Sequence, residues 1–170
     1  MTNFDELVDA REELDAIVID VLGSILDEEA GPTHDELPDG QTAHARLAIH
    51  DEADDTFAVV EVRIGIALAR VMASRMMFVA DPLEEDVLDA TAELGNICGG
   101  NVKSLLCQHA RLSLPTADIG SGLPALTGAG VRVRAVVLGH VVELAVTPGA
   151  SIDGLDWPPA AADEELERQS

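Results

Sequence analysis

Rings are scarce in this chain, and positive charge is far outnumbered by negative. With three Phe, one Trp and no Tyr, any core must be built from Val, Ile, Leu, Ala and Met rather than from stacked aromatics. Lys103 is the one lysine, and ten basic residues face 32 acidic ones, a formal charge of −22. Such a surface repels nucleic acid and anionic membrane, so neither is an expected partner. It suits solubility at high ionic strength, or attraction of a basic protein. No stretch of about 18 uncharged apolar residues offers a membrane span. The acidic start MTNFDELVDAREEL lacks the positive charge and apolar run of a secretory signal, and a cytoplasmic location is expected. Cys98 and Cys107 fall nine positions apart in one predicted helix. They project about 180° apart there and cannot bridge, and free thiols fit a reducing compartment. The histidines at 34, 44, 50, 109 and 140 form no HExxH or HxH spacing, and no CxxC is present, so no metal centre is expected. Residues 120–130, GSGLPALTGAG, lack the Lys-Ser/Thr and helix start of a phosphate loop.

What is present is enough aliphatic side chain, 47% apolar over 170 residues, for one folded unit. It is expected to occupy residues 1–147. Residues 148–170, rich in Pro, Ala and acid, are expected to form a largely disordered tail, with local docking of Trp157 the alternative to its standing in solvent. Apolar residues at 4, 7, 8, 14, 18, 21, 22, 25 and 26 predict a long helix over 4–29. Residues 30–41 read as a solvated loop, and 42–50 and 56–64 as a hairpin turning at 50–55. Residues 66–78 predict a shorter helix packed through Leu68, Val71, Met72 and Met76. Asp81-Pro82-Leu83-Glu84 has the form of a capping box that starts a third helix, running to about Cys107. Residues 111–119, broken by Pro115, suit an edge strand. Residues 131–138 and 141–146 form a second hairpin closed by Gly139-His140.

The two long helices repeat. Displaced by 80 positions, Asp9, Ala10, Glu13, Leu14, Ile17, Ser24 and Leu26 match Asp89, Ala90, Glu93, Leu94, Ile97, Ser104 and Leu106, and a hairpin follows each helix. Duplicated halves imply an α+β domain with a pseudo-twofold repeat, its helices packed on a largely antiparallel β-sheet.

In the second long helix Asp89, Glu93, Asn96, Gly100 and Lys103 fall within about 80° of one another, opposite Leu94, Cys98, Val102 and Leu105. Burying the apolar side turns the polar stripe outward. Gly95, Gly99 and Gly100 each cost about 1 kcal/mol relative to Ala in mid-helix, which calls for a reason: close helix packing or a partner's docking groove. By itself, a charged stripe is most often a solvated face.

The spacing Asp89-x3-Glu93-x2-Asn96, followed by Ser113-Leu114-Pro115, resembles the signature of the CheC/CheX/FliY chemotaxis phosphatases, and ELGNICGGNVKSLL resembles their active-site helix. The 18 residues between Asn96 and Pro115 are a few fewer than is usual there. The resemblance implies a phosphatase acting on the phospho-aspartate of a CheY-like receiver domain. Asn96 would orient the attacking water, and Glu93 would pair with the receiver's lysine. Asp89, Gly100, Lys103 and Pro115 would contact the partner. In the first helix Asp9 and Glu13 match but Ala16 replaces the Asn, which implies a silent, degenerate second site and a pattern more like CheX than two-site CheC. The family implies no cofactor of the chain's own, since the Mg²⁺ is the receiver's, and a homodimer is compatible with exposed strand edges. The rival expectation is a non-catalytic CheC-like module that binds a receiver or a flagellar-switch protein.

Overall fold

The computed structural model describes residues 6–7, 9–121, 130–149 and 154–158. Three helices lie on one face of a seven-stranded, wholly antiparallel sheet. Helix α1 spans Arg11–Leu26, strand β1 Ala30–Pro32, β2 Thr42–Asp51, β3 Thr56–Gly65, α2 Ile66–Met77 and α3 Glu84–Leu106. Strands β4 (Arg111–Leu112), β5 (Thr116–Gly120), β6 (Val131–Val137) and β7 (His140–Pro148) follow. The sheet order is β1-β6-β7-β3-β2-β4, with β5 also paired to β2. Alternation sends Ala43, Leu47 and Ile49 of β2, Val60, Val62 and Ile64 of β3, and Val142, Leu144 and Val146 of β7 into one aliphatic core beneath the helices.

The order is symmetric about the β3–β7 seam. Each half contributes a helix, an edge piece and a hairpin. The edge piece of each half, β1 or β4–β5, pairs with the hairpin of the other, β6 or β2. Likewise α1 packs on β6 and β1, and α3 on β2, β3 and β5.

The opposite face of the sheet is charged. His44 and Arg46 sit 3.4 Å from Glu61, and Arg134 sits 2.7 Å from Glu143. Glu61 and Glu143 are nevertheless buried, and each is ion-paired with arginine.

Several expectations need correction. Helix α1 starts at Arg11, after a turn in which the Ala10 N–H donates to the Leu7 carbonyl, and ends at Asp27 in the left-handed conformation (φ 52°). Phe4 and Val8 lie outside the described residues. The expected loop 30–41 contains β1, whose pairing is made by backbone alone. Helix α3 starts three residues after Asp81. Leu83 is its cap residue, with its N–H on Asp86 Oδ2 at 2.8 Å, so the reach-back carboxylate of a capping box is Asp86. In the second hairpin the turn pair is Leu138-Gly139, both at positive φ, and His140 already pairs with Val137; this is the two-residue turn that suits strand twist. In α2, Val71 and Met76 are half-buried while Ala69 and Ala73 join Leu68 and Met72 in the core.

Trp157 does not stand in solvent. It lies edge-on to His50 with ring centroids 6.1 Å apart, and the Arg111 guanidinium carbon is 5.7 Å from its ring centroid. The Leu114 N–H donates to the Asp156 carbonyl at 2.8 Å, and Arg111 Nη2 donates to the Pro158 carbonyl at 2.7 Å. The rest of the expected disordered tail lies outside the described residues, apart from Pro148, Gly149, Gly154 and Leu155.

Candidate active site on the second long helix

Helix α3 presents the expected two faces. Val87, Ala90, Leu94, Cys98 and Val102 are essentially inaccessible, whereas Asp89 and Glu93 are exposed and Asn96, Gly100 and Lys103 half-exposed. Leu105 departs from the expectation at 38% exposed; in the last turn Leu106 takes the buried place.

The glycines divide by role. A Cβ on Gly95 would lie 2.8 Å from the Ala45 Cβ, and one on Gly99 would lie 2.6 Å from Leu47 Cδ1. Both neighbours are fully buried in β2, so these glycines let the helix backbone approach the sheet closely. Nothing lies within 4 Å of the Cβ position of Gly100, which is on the polar stripe. Helix packing therefore accounts for the first two and leaves the third on the open face.

Glu93 and Asn96 share a groove of about 600 Å³ with Asp89, Ala92, Met76, Met77, Leu114 and Pro115. Helix α3 forms one wall, the end of α2 another, and the Leu114-Pro115 link between β4 and β5 the third. Gly100 and Lys103 lie further along α3, outside this lining. Pro115, 19 positions beyond Asn96 in sequence, is brought to the same groove because β4 and β5 run back along β2 beside the helix.

The chemistry available there is polar on one side and greasy on the other. Asn101 Nδ2 donates to the Ile97 carbonyl, and Ser104 Oγ to the Gly100 carbonyl, so neighbouring polar side chains are engaged with the helix itself. The Glu93 carboxylate and Asn96 carboxamide make no hydrogen bond or ion pair among the described residues. They remain free to bond to something that enters the groove, and two carboxylates without a cation favour a positively charged visitor. Met76, Met77, Ala92 and Leu114 were not singled out as site residues from sequence. The adjacent pair Met76-Met77, at the end of an amphipathic helix that needs only one buried side chain per turn there, was the available signal.

Asp9, Glu13 and Ala16 are all exposed, in the turn before α1 and on the helix. Among the described residues, no group of three or more His, Cys, Asp or Glu side chains is placed to hold a metal ion. No helix among them is long and apolar enough to cross a membrane.

Residues 51–133 match the family model described as chemotaxis phosphatase CheX. Over these residues the chain is similar to the CheX phosphatases. The match runs from the β2–β3 turn into β6 and so takes in α3 and every wall of the groove. Solved structures of CheC/CheX proteins share the architecture. CheX from Vibrio vulnificus is 16% identical, with a TM-score of 0.65, over 81% of this chain and 94% of that one. CheX from Borrelia burgdorferi, in a complex with CheY, BeF3 and Mg²⁺, is 17% identical with a TM-score of 0.58, over 85% and 98%. FliY from Thermotoga maritima is 17% identical with a TM-score of 0.54, over 83% and 89%. At these identities the likeness establishes the α+β fold. No curated protein matches the sequence.

Proposed function

We propose that this chain hydrolyses the aspartyl-phosphate of a CheY-like receiver domain, with the α3 groove as its docking and catalytic surface. The observation that carries the reading is the pairing of Glu93 and Asn96, adjacent on one exposed helix face and with unused hydrogen-bonding atoms, in a groove closed by Leu114 and Pro115. The match of residues 51–133 to the CheX family model and the CheY complex of the Borrelia protein of similar fold support the choice of partner.

Phosphoryl transfer through a loose transition state asks for an in-line, oriented nucleophile more than for a strong base. A carboxamide suits this task, because its oxygen accepts from a water and its N–H₂ donates to a phosphoryl oxygen. Asn96 would hold the water. The water's oxygen would bond to phosphorus as the bond from phosphorus to the receiver's aspartate oxygen breaks; the aspartate would leave as a free carboxylate, and the water's protons would go to the departing orthophosphate and to solvent. Glu93 would pair with the receiver's phosphate-contacting lysine, removing that cation from the phosphoryl group and seating the helix. The Mg²⁺ belongs to the receiver substrate, and this chain supplies none of its ligands.

The test is phosphate release from a phosphorylated receiver. Asn96→Ala is expected to lose roughly 10²-fold in turnover while still binding, and Glu93→Ala to weaken both binding and turnover. Equal rates for wild type and both variants, all at the spontaneous rate, would leave the non-catalytic binding module as the answer.

A further inference from the structure

The groove wall made by Leu114 and Pro115 is not held by the sheet alone. The Ser113 N–H pairs with the Ala48 carbonyl of β2, and Ser113 Oγ accepts from the Ala48 N–H, both at 2.9 Å. The next N–H along the strand, that of Leu114, therefore points away from the sheet. Pro115 has no N–H to contribute, so Leu114 is the last donor before β5. At a bare edge this N–H would go to water. Here it donates to the carbonyl of Asp156 at 2.8 Å, 42 residues further along the chain. Residues 154–158 thus act as a strap laid on the sheet edge where the β4–β5 strand is interrupted.

The strap has its own fastening. Trp157, half-buried, lies between the Arg111 guanidinium and the edge of His50, whose ring stacks on Phe57 at 4.1 Å and 3°. Arg111 also holds the Pro158 carbonyl. These contacts bracket Asp156 and fix its carbonyl against Leu114. The side chain of Leu114, 52% exposed, faces the groove opposite Glu93 and Asn96.

We infer that Trp157 is a positioning residue for the candidate site: it pins residues 154–158 to the sheet edge so that Leu114 and Pro115 stand as a fixed wall against which the partner docks. The inference rests on the proposed function for the partner but not for the strap itself. A wall fixed in advance removes an ordering cost from association without touching the reacting atoms. The signature is thus a raised KM for the receiver at nearly unchanged kcat.

Two measurements on the full chain test it, with Trp157→Ala and the ring-retaining Trp157→Phe. Native-state amide exchange is expected to speed up roughly tenfold at Leu114 in Trp157→Ala, while Ser113 and the β2–β3 amides stay as slow as in wild type. Trp157→Phe is expected to return most of the protection. Receiver dephosphorylation should show KM raised several-fold in Trp157→Ala, restored toward wild type in Trp157→Phe, with kcat within about twofold. Unchanged Leu114 exchange in Trp157→Ala would overturn the strap. Faster Leu114 exchange with unchanged KM would overturn its role at the docking wall. A wild-type chain with no activity on any phosphorylated receiver would sink the proposed function while leaving the exchange result to decide the strap.

Discussion

The two halves of the molecule share a plan and differ at the helix that each lays on the sheet. At the positions of Gly95 and Gly99 in α3, 80 residues earlier α1 carries Asp15 and Ile19, both half-buried. A side chain at the first two sites would collide with Ala45 and Leu47, so α1 cannot approach its strands at those points as α3 does. Where α3 carries Asn96, α1 carries Ala16, and where Leu114-Pro115 stands beside α3, the same offset gives His34-Asp35. One helix has been pressed close to its sheet and furnished with a groove. The other keeps the acidic residues Asp9 and Glu13 without the amide or the apolar wall. The symmetric sheet order gives both halves one frame, and the departures mark where they differ.

That contrast can be broken most severely at the amide. Adding Ala16→Asn to the Asn96→Ala variant restores the acid and amide pair to α1 alone. Phosphate release is expected to stay roughly 10²-fold below wild type, because the pair lacks its Leu-Pro wall; recovery would show the halves to be functionally equivalent.

The next largest effect concerns packing. Gly95→Ala is expected to cost roughly 1–3 kcal/mol through overpacking against Ala45, while Asp15→Ala at the matching site in α1 should stay within about 0.5 kcal/mol. Urea unfolding of both variants measures the difference.

A smaller effect follows at Cys98, whose mate in α1 is Val18. Burial pushes the Cys98 thiol up to about 12 from its ordinary 9.0. As pH rises above 9 the unfolded chain loses this proton first, so the native state is disfavoured progressively until its own thiol ionises near 12. Cys98→Val is expected to change stability by less than about 1.5 kcal/mol at neutral pH and to flatten this alkaline decline, as unfolding at pH 7 and pH 10 will show. Wild-type Cys98 should also resist alkylation in the native state at pH 8.

The smallest effect is Gly100→Ala. With open space around the added methyl, it is expected to stabilise the helix by up to about 1 kcal/mol. If it also weakens receiver binding, the partner's backbone passes over that position.

Much of this could be read from the chain because its elements announce themselves in different ways. The β2–β3 hairpin and α2 follow from β-branched alternation and helical spacing, and the stripe on α3 follows from its wheel once one side is buried. What stayed hidden lacked a side-chain signal. Strand β1 is Ala-Gly-Pro, held by backbone bonds to β6, and no periodicity exists in three residues. The start of α3 moved because Asp81, Glu84, Glu85 and Asp86 are all acids that can serve a helix N-terminus, and only geometry chooses Asp86. The groove's apolar wall and the docking of Trp157 depend on partners 19 to 107 positions away in sequence, at Pro115 from Asn96 and at Trp157 from His50. A local pattern carries no trace of such encounters.

The crossed lending of edge strands has a consequence for how the molecule comes into being. The hairpin of the first half cannot complete its outer border until the chain has reached residue 120, and that of the second half must find a three-residue piece made a hundred positions earlier. Severed in the link 78–83, the polypeptide would yield two fragments that each own what the other is missing. Its native order is a joint property of both, reached late and over long sequence distances.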